Sequence, residues 1–419
     1  MSNVTDNQRL YQEREKRVHD AISLQKPDRV PIVTLTEFFF LRAAGITAAE
    51  GMYDYQKMST AWKASMKRFN WDMAPLQHAI RPGPVMEMLG LKMLKWPGYN
   101  LGENQYYQYV EKEYMLEDEY DEFLRDPSDF IIRKVLPRYA EIFEPLQRVP
   151  SFVNWGAGYA ILPLVGMFGS IPPIVEMMDS IKAVGQEYAK WNAVQSQLID
   201  DLQNMGYPVL TRVLSVTAFD WISDFLRGMK GSMLDMRRQP DKLKAAVEIL
   251  EPLTIQLPIM MAAITGTKRV YIPLHRGARG FMSDAQYAEF YWPGLKKLLV
   301  ALIEAGLTPL PFFEGDYTPR LHYLAELPPG KIMAHFDSVD RQKFKEVLGD
   351  TLCFWGNVSA QLLCTGTPQQ VKDEVKELID LFADSGGLIV DASSTGPPPE
   401  AKPENVEAMT ETVFEYGKY

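Results

Sequence analysis

Cysteine is scarce in this chain: among 419 residues only Cys353 and Cys364 carry a thiol, with ten residues between them. With no CxxC pair, neither a disulfide framework nor a zinc knuckle is indicated, and a reducing, cytoplasmic setting is expected. Histidine is scarce as well, at five residues. Positive charge is outnumbered, with 44 Lys and Arg against 54 Asp and Glu for a net charge of −10. That balance speaks against nucleic acid or an anionic membrane surface as the main partner. The first residues, MSNVTDNQRLYQEREKRVHDAI, are polar and helix-like and lack the apolar core of a secretory signal.

Long hydrophobic runs are also few. One uncharged stretch, residues 151–175, has the length of a membrane span, but Pro163, Pro172, Pro173, Asn154 and four glycines interrupt it. A buried wall or a subunit contact is the expected use. No internal repeat and no low-complexity linker divides the chain, so one elaborated domain is expected.

From residue 266 onward, short β-rich runs alternate with amphipathic helices. Strands are predicted at 269–277, 308–316, 331–338, 351–359 and 387–395. The intervening helices carry clear start signals, such as Ser283 with Gln286, and Thr367 with Pro368 and Gln370. Alternation without hairpin signals means parallel strands with helical crossovers. Residues 29–35, 71–76 and 207–216 supply three more candidate strands. Eight in total predict an α/β fold, a (β/α)8 TIM barrel with an N-terminal helical extension. A largely helical insertion, about 90–205, falls between the second and third strands.

In such a barrel the active site forms at the carboxyl ends of the strands, so the strand-terminal residues are the candidates. They are Glu37, Asp72, Thr217 to Asp220, His275 with Arg276, Glu314 with Asp316, His335 with Asp337, Asn357, and Asp391 with Ser393 and Ser394. Glu314, His275 and His335, from three neighbouring strands, form a nitrogen and oxygen set suited to zinc or iron(II). The plainer alternative has the histidines bonding loop backbone and Glu314 pairing with Arg276 or Arg320. The loop HRGARG, 275–280, either holds a carboxylate or phosphate or is a solvated surface loop. Asn357 either orients substrate or caps a loop, and Tyr317 either donates a hydrogen bond or packs as a lid. Glu37 follows a hydrophobic strand and precedes three phenylalanines, where a carboxylate needs a partner.

Three stretches carry a family resemblance: KRVHDAISLQKPDRVPI (16–32), GNVS with LLCTGTPQQVKDEVKELID (356–380), and KPENVEAM (402–409). The chain resembles the uroporphyrinogen decarboxylase superfamily from about residue 14 to its end. That superfamily is a (β/α)8 barrel and includes cobalamin-dependent methyltransferases. The decarboxylase branch has an arginine-rich motif after strand one, where this chain reads EFFFLRAAG, and a histidine after strand eight, where it has Ser393 and Ser394. The thiol-methylating branch binds zinc through a His-x-Cys-Gly on strand five, where this chain has Phe312-Phe313-Glu314-Gly315.

With these departures the resemblance implies a methyltransferase that moves a methyl group between a corrinoid and a small substrate, either one with an oxygen-bound methyl group or another small oxygenated compound. Glu314, His275, Asp316 and Tyr317 would be catalytic. Arg276, Asn357, Glu37, Asp72, Asp337 and Ser394 would bind substrate. A zinc ion on Glu314, His275 and His335 is an accompanying expectation. No Asp-x-His-x-x-Gly cobalamin signature is present, so a corrinoid is expected on a separate carrier protein, and a homodimer is expected by analogy. The alternative activity is a decarboxylase or lyase for a small carboxylic acid.

Overall fold

Five runs pair side by side in chain order as parallel strands: Arg269–Leu274, Thr308–Asp316, Met333–Ser338, Cys353–Trp355 and Leu388–Ile389. The structure, a computed structural model, describes residues 5–75, 80–382, 384, 386–393 and 395–419. Single parallel bridges complete the ring, joining Val390 to Ile32, Ala74 to Val209, and Leu214 to Tyr271. Between the first and second positions the Asp72 N–H donates to the Ile32 carbonyl at 2.8 Å. Eight positions thus close a TIM barrel, and all eight fall where the alternation predicts strands.

The first three positions are bridges and not extended ladders, and Asp72 shows one reason. Its carboxylate accepts the Ile32 N–H at 2.8 Å, so a side chain replaces a ladder bond.

Successive side chains alternate between the two faces of a strand, and one set fills the barrel. Val33, Leu35, Met73, Leu210, Tyr271, Leu310, Phe312, Met333, Cys353, Trp355 and Ile389 form this inner cluster. Val18, Ala21 and Ile22, from the helix Asp6–Ile22, belong to the same cluster and close one end. That end is the amino side of the strands, because Glu15 on this helix pairs with Arg269 at the start of its strand, at 2.8 Å. The opposite, carboxyl end is left for the site.

The alternate residues, among them Phe313, Phe336 and Phe354, point outward under the surrounding helices. One of those helices, Pro240–Thr265, is long and apolar enough to cross a membrane by length and composition. In the fold it sets Leu243, Ala246, Leu250 and Ala262 into the core.

Between the second and third barrel positions, Leu94–Lys95 pairs antiparallel with Gln108–Tyr109, and short helices lead into the long helix Pro172–Asn204. The expectation of a buried wall at 151–175 is corrected. Val153 is 75% exposed and Tyr159 89%, and the helices Gly158–Ser170 and Pro172–Asn204 meet at a 73° bend. Proline at 172 and 173 cannot continue the preceding helix, which accounts for the break.

Candidate active site

The carboxyl end of the barrel is organised around two aspartates that follow the third position. Thr217 caps the helix Ala218–Trp221, its hydroxyl accepting the Asp220 N–H at 3.0 Å. The helix runs directly into a π-helical segment, Ile222–Arg227, a geometry often found at functional sites. Asp220 and Asp224, one turn apart, both reach the loop that follows the fourth strand.

Asp220 is fully buried, and all its known partners are donors. The Arg276 N–H reaches Oδ1 at 3.0 Å, and the Tyr291 and Thr217 hydroxyls reach Oδ2 at 2.5 and 3.0 Å. Burial and the nearby Asp224 charge push its pKa up to about 6, against the pull of His275 and the two hydroxyls. Tyr291 itself belongs to a second π-helical segment, Tyr287–Tyr291.

Asp224 divides its two oxygens between the neighbouring residues of the loop. Oδ2 stands 2.5 Å from His275 Nδ1, and Oδ1 takes Arg276 Nη2 at 2.9 Å. Arg276 Nε also donates to Ser223 Oγ at 2.8 Å. Burial alone would lower the His275 pKa, but the bond to Asp224, its charge, and the charges of Asp220 and Glu314 raise it to about 9. An imidazolium is therefore fixed at the mouth at neutral pH.

Glu314 comes to this group from the fifth strand. The register between the fifth and sixth strands shifts between Phe313 and Asp316, where Gly315 takes a φ of +78°. Such a bulge re-aims side chains, and the positive φ suits glycine. Burial raises the pKa of Glu314; His275 and Arg276 oppose this, and the carboxylate of Asp337 adds to it. Glu314 is thus a half-buried carboxyl group with a raised pKa, within electrostatic reach of His275, a setting suited to proton transfer.

The other predicted residues divide into those at the mouth and those that serve the scaffold. Asp337 accepts the Gly315 N–H at 3.2 Å and so supports the bulge. Glu37 is half-buried at the top of the first position, its pKa raised by burial and pulled back by Arg81. Asn357 is at the rim, with its carbonyl groups taken by Arg341 at 2.8 and 2.6 Å. Asp316 turns outward, 3.9 Å from the exposed Arg279, and caps the Thr318 N–H. Ser394 lies outside the described residues.

Three expectations are corrected. Asp72 binds no substrate: it is fully buried, held by Arg17 at 2.6 Å, by Arg29 at 2.8 Å and by the Ile32 N–H. Tyr317, expected as a catalytic hydrogen-bond donor or as a lid residue, is neither, because it is not at the mouth: its ring is fully buried against Phe313, at 4.7 Å, beneath Gly277. His335 does not join His275 and Glu314. It is sealed in the barrel between Phe312 and Trp355, at 4.8 and 4.7 Å, with Nε2 3.2 Å from Asp391. Burial pushes the Asp391 pKa up to about 6, against the bonds from His335, the Leu35 N–H and the Ala392 N–H.

The proposed zinc set consequently does not fit. Among the described residues no group of three or more His, Cys, Asp and Glu is arranged to hold a metal ion. Nor does either thiol end a barrel strand: Cys353 is inside the barrel, and Cys364 is on the helix Ala360–Thr365.

Asp224 and Ser223 are site residues that the strand-end reading missed. The available signal was an acid four residues beyond Asp220, which on a helix shares its face.

Residues 218–416 match the model of the family described as uroporphyrinogen decarboxylase (URO-D), a stretch that includes Asp220, Asp224, His275 and Glu314. No curated protein matches the chain in sequence. Among solved structures, a methyltransferase from Methanosarcina mazei is similar at a TM-score of 0.59 and 17% identity, over 96% of this chain and 98% of that one. At that identity the likeness shows the shared fold.

Proposed function

We propose that this chain, a member of the uroporphyrinogen decarboxylase superfamily through residues 218–416, is a methyltransferase that removes a methyl group from oxygen in a small methoxylated substrate. The observation that carries the reading is that Glu314, a carboxyl group whose pKa burial raises, shares the barrel mouth with His275 where neither cysteine ends a strand. The methyltransferase with the same fold supports it.

An ether oxygen leaves poorly unless it is protonated. In the proposed step the carbon–oxygen bond breaks, its electron pair stays on the oxygen, and Glu314 supplies the proton that makes the leaving group an alcohol. The carboxylate left on Glu314 is then balanced by His275, whose own charge is held by Asp224. Arg276 is tied to Asp224 through Nη2 and to Ser223 through Nε, which fixes the loop. A reduced corrinoid, presented at the mouth by a separate carrier protein, would supply the nucleophile that accepts the methyl group.

The test is to incubate the purified protein with cob(I)alamin and a panel of methoxylated compounds and follow the visible spectrum of the corrinoid. Consumption of the reduced corrinoid with release of the free alcohol or phenol is expected. Glu314→Gln should reduce the rate by about 10²- to 10⁴-fold, the usual size of a general-acid contribution. Carbon dioxide release from a small acid without corrinoid, and no methyl transfer from any donor, would replace this reading with a carboxy-lyase.

A further inference from the structure

A helix between the second and third barrel positions is apolar on every side. Ile161–Ser170 reads ILPLVGMFGS, and its one polar side chain, Ser170, donates back to the Gly166 carbonyl of the same helix. Its inner face is covered: Met167 and Phe168 pack on a small separate core formed by Leu146, Val149, Ile174 and Met177. The opposite face, Leu162, Val165, Gly166 and Gly169, has the i, i+3, i+4, i+7 spacing of a face that a helix buries. Here it stands in solvent, with Leu162 68% and Val165 65% exposed.

The two glycines point to a neighbour outside the chain. A Cβ at Gly166 or Gly169 would meet nothing within 4 Å, so packing within this chain does not require glycine at either place. Glycine weakens a helix interior, and what it offers in return is close approach by another backbone. The face is also self-complementary. If the helix lies antiparallel on its own copy, about a two-fold axis between Val165 and Gly166, Leu162 meets Gly169 of the second copy and Val165 meets its Gly166. Every bulky side chain then faces an open glycine.

Area and charge agree with that occupant. With Val153, Tyr159, Ile161 and Ile171, these side chains expose on the order of 700 Å², beyond the ~300–600 Å² patch of an ordinary monomer and near the ~800 Å² that each partner gives a stable dimer. Residues 151–175 hold no charge in a chain of net charge −10, so two copies meet here without repulsion. A lipid surface suits the helix less, because a helix lying in a membrane interface turns a charged face to water.

We propose that the outer face of Ile161–Ser170 is the seam of a symmetric homodimer, occupied by the same face of a second copy of this chain. Sedimentation velocity of the full chain over a range of concentrations tests it. The wild type should run at twice the chain mass, and Leu162→Lys, which sets a charge into the seam, should run as a monomer. Gly166→Leu places its Cβ in open space and favours the helix, yet fills the room of the opposing Val165. It should weaken the dimer by about tenfold or more, with helix content by circular dichroism no lower than in the wild type. Leu257→Lys, on the exposed side of the helix Pro240–Thr265, is the control and should stay dimeric. Register is read by cross-linking: Val165→Cys, beside the axis, should join to its own copy on mild oxidation with diamide, and Leu257→Cys should not. A wild-type monomer at every concentration, a dimer that both Leu162→Lys and Gly166→Leu leave intact, or a monomer that floats with phosphatidylcholine vesicles would overturn the proposal.

Discussion

His275 Nδ1 and Asp224 Oδ2 stand 2.5 Å apart, and the second oxygen of the same carboxylate holds Arg276. One aspartate on a π-helical turn thereby fixes two successive residues of the loop after the fourth strand. It holds the imidazole of His275 and the guanidinium of Arg276 in fixed positions at the mouth.

Asp224→Asn removes the charge that raises His275, so the imidazole pKa should fall from about 9 toward its ordinary value of about 6.5. Because the folded value lies above the unfolded one, the stabilisation is fully present below about pH 6.5 and is lost as pH rises through about 9. Urea unfolding at pH 6 and pH 9.5 should show this loss in the wild type and little of it in Asp224→Asn. Imidazole proton titration by NMR gives the pKa directly, and an unchanged value in the variant would break the assigned link.

Asp337→Asn should act on Glu314 from the neighbouring strand. Asp337 helps to raise the Glu314 pKa, so its neutralisation should lower that pKa. If protonated Glu314 is the donor, activity falls as pH rises through its pKa, and in Asp337→Asn this alkaline limb should move to lower pH. A pH–rate profile that keeps its alkaline limb in place would remove Glu314 as the donor.

Asp72→Ala should behave as a scaffold variant. It leaves Arg17, Arg29 and the Ile32 N–H without their shared acceptor, a loss of about 3–5 kcal/mol for a broken buried ion pair. Thermal unfolding should shift strongly down while KM of the remaining folded protein stays put. A raised KM with normal stability would return Asp72 to the substrate.

Gly277→Ala tests the packing beneath the loop. A Cβ there would lie 2.1 Å from the Tyr317 hydroxyl and 2.8 Å from the Tyr291 ring. Since Tyr291 donates to Asp220, displacement should both destabilise the fold, by about 1–3 kcal/mol as for other overpacked sites, and lower activity. Near-ultraviolet circular dichroism would report the tyrosine movement, and an unaltered spectrum would contradict the close contact.

Much of the barrel was readable because parallel strands with helical crossovers write a local pattern of short apolar runs, capped helices and strand ends. The same pattern marked Glu314, His275 and Asp337 as strand-terminal. It could not separate them from His335 and Asp391, which share the inward face but lie one layer deeper. In register, His335 stands beside Phe312 and Trp355, two residues before Asp337, and that depth is a matter of stagger between strands.

Sequence alone determined the order of the elements, the inward alternation and the absence of thiols from the strand ends, since each depends only on neighbours along the chain. Tertiary structure decided which charges meet. Asp72 was claimed by two arginines, and Arg276 and His275 by Asp224. Such outcomes depend on groups dozens of residues apart that compete for the same few ångströms of buried space.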